Sequence, residues 1–314
     1  MWGPGAERLL RGIGDDASVV RARPLCVVSV DAMVEDIHFR LREGWATPAQ
    51  VGARALAAAL SDLAAMGAAP GEAYIVLGMP AGLTEQRVLE LVRGAAALAR
   101  ENGTVLAGGD VVAAPALTVC ITAVGWGERE EQLIARDGAA AGDLVGVTGR
   151  LGGAGAGLAI LDGRACGGRN REALLERVHH PRPRLREGRA LAAAGVRAMI
   201  DLSDGLAADA AHIGRASGVQ LRIALEALPL QEGVQEVCAE LGIAVHQLAA
   251  GAGDDYELCF CAPPAAGAAV ERASDGAGLA GVTWIGEVAA GPPGARLLDA
   301  RGEEVALGGF EHRW

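Results

Sequence analysis

The residues with the clearest chemical potential are aspartates at the ends of apolar segments. Asp31 ends the run Leu25–Val30, Asp110 follows Gly108-Gly109 at a strand end, and Asp201 follows Met199-Ile200 in the same way. Asp62 sits near the C-terminal end of an Ala/Leu-rich helix, where the helix dipole disfavours an anion by about 0.3–1 kcal/mol. Asp204 opens a helix beside Ser203, and Asp16 stands in a glycine turn. Helix capping accounts for Ser203 and Asp204 as well as ligation does, and a turn accounts equally for Asp16 and Asp110. Neither explains Asp31 or Asp62. Carboxylates gathered this way suit a hard cation such as Mg²⁺, which takes oxygen ligands and bridges to phosphates.

The composition narrows the chemistry further. The chain has 314 residues and 28 basic side chains, all of them Arg. Without lysine there is no Schiff base, no catalytic amine and no Walker A phosphate loop. A net charge of −11 with no basic run makes a poor nucleic-acid or membrane-surface binder. Hydrophobic residues make up 51% but aromatics only 3%, so the core must be built from Ala, Val, Leu and Ile. Met1–Arg11 lacks the pattern of a secretory leader, and no window suits a membrane span. The six cysteines show no metal or redox spacing and read as small buried side chains in a reducing cytoplasm.

The elements that must position these groups follow from apolar periodicity. Strands are expected at Ala17–Val20, Leu25–Val30, Ala73–Met79, Val105–Ala107 and Ala116–Gly125. Helices are expected from about Pro48 to Met66, with a Thr47/Gln50 capping box, and from Thr84 to about Arg100. A second half begins near Arg136, giving domains of residues 1–135 and 136–314. It holds a strand at Leu144–Thr148, the glycine run Gly149–Gly157 leading into an apolar helix, and a stiff turn at His179–Pro183. A strand at Met199–Leu202, a helix from Ser203 to Ser217 and a strand at Tyr256–Cys261 follow. Hairpins and helices in blocks predict a two-domain α+β fold with mixed or antiparallel sheets. The glycine run contains no G-x-G-x-x-G, so it reads as a strand-to-helix turn that could lie near phosphate. His38 reads as a half-buried strand histidine, and no His or Cys pair has zinc spacing.

The motifs Gly12–Ala17, Ser29–Phe39, Ser61–Pro70, Gly108–Asp110, Ile200–Leu206 and Gly253–Leu258, in this order, resemble those of the thiamine-phosphate kinase family, within the superfamily of aminoimidazole ribonucleotide synthetase. The resemblance implies ATP-dependent phosphorylation of thiamine phosphate to thiamine diphosphate. It places Asp16, Ser29, Val30, Asp31, Asp62, Asp110, Asp201 and Asp204 in the metal-binding stretches. Gly109, Asp110, Arg136 and Ser203 match nucleotide contacts, and His38, Asp254 and Phe310 match substrate contacts. It further implies a homodimer in which the first domains pair into a barrel, with the active site in a cleft between the domains. Val30 stands where Thr is common, Val111 likewise, and Asp254 stands where Glu is typical.

Charge makes several Mg²⁺ ions a natural companion of this set, since the carboxylates, a triphosphate and a monophosphate together carry about twelve negative charges. The acceptor phosphate has a second pKa near about 6, so it is ionised without a general base. No catalytic side chain is expected beyond those that position the phosphates and metals. Two other readings stay open at this point: an ATP-dependent ring-closing synthetase of the same superfamily, and a non-catalytic nucleotide-sensing module.

Overall fold

The computed structural model describes residues 6–42, 44–275 and 279–309. These form two compact units, one drawn from the chain up to Leu63 and from Ala68–Glu130, the other from Ala64–Gly67 and from Glu131 onward. Both are mixtures of helices and sheets, so the fold is α+β.

The first unit opens with a short antiparallel pair, β1 (Leu9–Arg11) and β2 (Val19–Val20). Its main sheet holds β3 (Leu25–Val34), β4 (Ala69–Met79), β5 (Val105–Ala113) and β6 (Thr118–Gly127) in the order β3-β6-β4-β5. Only the β4–β5 pairing is parallel within this sheet. Helix α1 (Pro48–Ala65) starts with the expected reciprocal cap, in which Gln50 N–H donates to Thr47 Oγ1 at 3.3 Å and Thr47 N–H to Gln50 Oε1 at 2.8 Å. Helix α2 (Glu85–Glu101) is capped by Thr84. Leu56, Leu60 and Leu63 of α1 are buried, as are Ile75, Val119 and Ile121 of the sheet.

Strand β3 runs four residues beyond the expected end, because the alternation continues through Asp31 rather than stopping at a charge. β5 likewise continues past Gly108-Gly109. Gly109 pairs with Ile75, and a Cβ there would lie 2.0 Å from the Ile75 carbonyl oxygen, an approach only glycine allows. β4 begins earlier than expected, with a register shift between Pro70 and Ala73 that absorbs the proline.

The second unit is a six-stranded sheet in the order β12-β9-β11-β7-β10-β8. Its strands are β7 (Leu144–Thr148), β8 (Ala198–Asp201), β9 (Gln220–Ala224), β10 (Leu258–Ala262), β11 (Val282–Ala289) and β12 (Gly294–Leu298). All neighbours are antiparallel except β12 and β9. The helices are α3 (Gly153–Leu161), α4 (Arg171–His179), α5 (Leu185–Ala193), α6 (Leu206–Ser217), α7 (Val234–Leu241), α8 (Val245–Ala249) and α9 (Gly267–Ser274). His179 is thus the last residue of α4 rather than part of a turn. One apolar cluster packs α6 against the sheet through Leu206, Ala210, Ile213, Leu221 and Cys259, and a smaller one joins α3, α4 and α7. The cysteines divide: Cys238, Cys259 and Cys261 are buried as expected, whereas Cys26 and Cys166 are exposed. Among the described residues no helix is long and apolar enough to cross a membrane.

Candidate active site

In the first unit, Ser29 and Asp31 lie two residues apart on β3 and therefore share a face of the sheet. That face meets α1, since the Ser29 hydroxyl donates to Asp62 Oδ2 at 2.5 Å. Asp31 Oδ1 accepts the N–H of Ala32 at 2.7 Å, and Asp110 Oδ1 accepts that of Val111 at 2.8 Å. Val30 points to the opposite face and is 64% exposed. A valine side chain has no donor atom, so only its backbone oxygen is available to a metal. Gly109 and Asp110 are exposed on β5. Asp16 is exposed ahead of β2, beside Asp15, which pairs with Arg11 at 3.2 Å. His38 follows β3, and its Nδ1 accepts the N–H of Val34 at 3.1 Å. In the neutral ring this puts the proton on Nε2.

In the second unit the segments Ile200–Leu206 and Gly253–Leu258 are laced together. Leu202 N–H donates to the Glu257 carbonyl at 2.8 Å, Tyr256 N–H to Leu202 at 2.9 Å and Asp254 N–H to Ser203 at 2.9 Å. A Cβ on Gly253 would sit 2.1 Å from the Ser203 carbonyl oxygen, so the close approach requires glycine. Asp201 ends β8 opposite Leu258 of β10. Asp201, Ser203, Asp204 and Asp254 are therefore brought into one neighbourhood. Arg136 is exposed, and its carbonyl accepts the Ser217 hydroxyl at the end of α6. Burial lowers the pKa of His212, with Arg215 and Arg136 adding to it and Asp204 opposing, so Arg136 and Asp204 act on the same side chain. Phe310 lies outside the described residues.

Helix α6 begins at Leu206, three residues later than expected, and neither Ser203 nor Asp204 caps it. The cap position is Gly205, at φ 106°, which has no side chain to offer. Asp209, one turn inside the helix, turns back instead: its Oδ2 accepts the N–H groups of Asp204 at 3.1 Å and Gly205 at 3.0 Å. Burial, reinforced by the charges of Asp201 and Asp204, pushes the Asp209 carboxyl up to about 8.

The glycine run is not a phosphate cradle. The N–H groups of Gly152 and Ala154 at the start of α3 are taken by the buried carboxylate of Asp255. Two residues on, Glu257 is fully buried and bound by Arg184, Arg177 and Thr148. Asp209, Asp255 and Glu257 all escaped the reading of the sequence. The last two lie inside a quoted motif, and Asp209 lies one helical turn beyond Gly205, a spacing that could have marked it.

Among the described residues no three His, Cys, Asp or Glu side chains converge as a ready metal cage. Mg²⁺ does not demand one, because it binds through one or two carboxylates plus substrate phosphates and keeps several waters. The donors present are all oxygens, the kind a hard cation takes.

Residues 14–126 match the AIR synthase related protein N-terminal domain, and residues 140–298 match the AIR synthase related protein C-terminal domain. The thiamine-monophosphate kinase of Mycobacterium tuberculosis (strain CDC 1551 / Oshkosh) is 37% identical over 287 residues, 88% of this chain and 84% of the relative. The crystal structure of thiamine-monophosphate kinase from Stenotrophomonas maltophilia K279a superposes with a TM-score of 0.83 at 32% identity, covering 95% of this chain and 93% of that one. AaThiL complexed with AMPPCP and TMP follows at a TM-score of 0.81 and 29% identity, with 96% and 92% covered. With both domains matched and identity at this level over most of its length, the chain belongs to the thiamine-monophosphate kinase family of AIR synthase related proteins.

Proposed function

We propose that the chain transfers the γ-phosphoryl group of ATP directly to thiamine phosphate, giving thiamine diphosphate and ADP. The observation that carries this reading is the hydrogen bond from the Asp254 N–H to the Ser203 carbonyl, with Asp204 next in the chain, so that residues matched to nucleotide, metal and substrate lie close together. A relative of the same fold bound to an ATP analogue and TMP supports it.

In this reading residues 1–135 supply metal and nucleotide contacts through Asp16, Ser29, the Val30 backbone, Asp31, Asp62, Gly109 and Asp110. Residues 136–314 supply Arg136, Asp201, Ser203 and Asp204 in the same roles; His38 in the first part of the chain and Asp254 and Phe310 in the second are the residues matched to substrate. These carboxylates would hold Mg²⁺, which would supply charge neutralisation for the phosphates. The hydroxyl of Ser29 fixes the Asp62 carboxylate in one orientation. Asp254 opposes the positive thiazolium ring, and His38 offers an Nε2–H donor. The attacking oxygen belongs to the acceptor phosphate, already ionised at neutral pH, so no side chain needs to remove a proton.

A homodimer and a cytoplasmic setting complete the reading. One face of the first unit's sheet carries Val28, Val30 and Val76, all exposed, with Thr122, Cys120 and Tyr74 on the same face. An apolar face of this kind favours burial against a second copy.

Incubation with ATP, Mg²⁺ and thiamine phosphate, followed by separation of products, tests the activity. Equal amounts of thiamine diphosphate and ADP are expected, and ATP consumption without thiamine diphosphate would overturn the proposal. Chirally labelled ATP tests direct transfer: one displacement inverts the phosphorus, whereas a phosphoenzyme route retains its configuration.

A further inference from the structure

The Asp209 carboxylate takes no part in the chemistry above, yet it is 2% exposed and sits against Asp201 and Asp204. A helix that needed only a cap would carry Ser, Asp or Asn at the cap position. Here Gly205, at φ 106°, holds that position in a conformation that side chains rarely adopt. Two consecutive N–H groups ahead of the helix, those of Asp204 and Gly205, converge on one oxygen of Asp209. From the other side, Leu202 and Ser203 are tied by backbone hydrogen bonds to Tyr256, Glu257 and Asp254. The segment 202–205 is thus clamped between a backbone ladder and one buried side chain.

We infer that Asp209 is a positioning residue for phosphoryl transfer, holding the Asp204–Gly205 backbone so that Ser203 and Asp204 meet the nucleotide and its metal in one fixed orientation. This rests on the reading of Ser203 and Asp204 given above. Both hydrogen bonds land on a single oxygen, so a carboxamide at 209 keeps them. Alanine removes the acceptor, and glutamate keeps the carboxyl group but moves the oxygen by one methylene.

The experiment compares Asp209→Asn, Asp209→Ala and Asp209→Glu in the full chain. Amide hydrogen exchange at Asp204 and Gly205 is measured without substrates, and turnover is titrated with Mg²⁺. In Asp209→Ala, exchange at these two amides is expected to rise about fivefold or more. Its kcat is expected to fall about 10- to 100-fold. The Mg²⁺ requirement should rise, while KM for thiamine phosphate stays within about twofold. Asp209→Asn should remain within about threefold of the parent in every measurement, and Asp209→Glu should behave like alanine. If the alanine variant does not fold, the Asn and Glu variants decide alone. Unchanged exchange in Asp209→Ala, or Glu active where Asn is not, overturns the inference. A parent enzyme that makes no thiamine diphosphate refutes the proposed function instead, and the exchange comparison still decides whether Asp209 clamps the loop.

Discussion

Asp255 and Gly152 lie 103 residues apart, and the Asp255 Oδ2 accepts the Gly152 N–H at 2.6 Å. The other oxygen accepts the N–H of Ala154 at 3.1 Å, so the positive end of α3 is neutralised from within the protein. The interaction joins the segment that carries Asp254 to the segment after β7. It turns a glycine-rich sequence that invites a phosphate into an anchor for the segment that carries Asp254.

Burial pushes the Asp255 carboxyl up to about 6 from 3.8, although Arg177 and the two N–H groups pull it down. The folded protein therefore holds this proton more tightly than the unfolded chain. Between about pH 4 and pH 6 the native state binds more protons, so this group's contribution to stability falls as pH rises and is flat above that window. Urea unfolding of the parent and Asp255→Asn across pH 4.5–7 reads the difference. The slope due to this group should vanish in the variant; identical slopes would show that Asp255 does not titrate there.

Glu257 concentrates more interactions than any other carboxylate described here. Its Oε2 accepts from Arg184 Nε at 2.7 Å and from Thr148 Oγ1 at 2.8 Å, while Oε1 accepts from Arg177 at 3.0 Å. Burial alone would lower the pKa of Arg184, but Glu257 and then Glu187 outweigh it and raise it. Glu257→Gln removes the nearest counter-charge of two guanidinium groups, leaving Glu187 beside Arg184 and Asp255 beside Arg177, and is expected to cost about 3 kcal/mol, read from the urea midpoint. A shift below about 1 kcal/mol would mean that solvent compensates the arginines.

These buried carboxylates show where the sequence could and could not be read. Helix α1 was legible from Thr47, Pro48 and Gln50 because its cap is local. The α+β class was legible from the alternation of short apolar runs. The ends of β3 and β5 were not, because Asp31 and Gly109 resemble stops until the neighbouring strand is known. Asp209, Asp255 and Glu257 were missed for the same reason: each answers a demand raised elsewhere by a backbone N–H or an arginine. Local propensity carries no trace of such a demand.

Asp62 lies in the last turn of α1, and its Oδ2 accepts the Ser29 hydroxyl. Asp62→Asn retains an oxygen for that bond and removes an anion from the unfavourable end of the dipole. Stability should stay equal or rise by up to about 1 kcal/mol, while turnover is lost. Near-normal activity, or a large drop in Tm, would remove Asp62 from the proposed metal set.

The exposed face bearing Val28, Val30 and Val76 predicts the oligomeric state. Val28→Glu places a charge in the middle of the proposed interface, where pairing two copies would bury it. Sedimentation of the parent as a dimer and of the variant as a folded monomer is expected. A parent that sediments as a monomer at micromolar concentration would refute the pairing.

Asp254 tests the substrate assignment most directly. Its backbone is at φ 65° and that of Tyr256 at φ 50°, a pair of left-handed residues flanking the anchored Asp255. Aspartate tolerates this region better than most residues. The Tyr256 hydroxyl donates to Asp254 Oδ1 at 2.9 Å, fixing the direction of a carboxylate one methylene shorter than the family's usual glutamate. Removing the anion with Asp254→Ala should raise KM for thiamine phosphate about five- to thirtyfold and leave KM for ATP unchanged. Tyr256→Phe removes only the orienting hydrogen bond, and the same KM should rise about two- to sixfold. Asp254→Glu should keep the parent KM or improve it, its extra length offsetting any strain. Steady-state kinetics with each substrate varied in turn separates the cases. If Asp254→Ala instead weakens ATP and Mg²⁺ while thiamine phosphate is unaffected, the carboxylate serves the metal and the thiazolium must find its anion elsewhere.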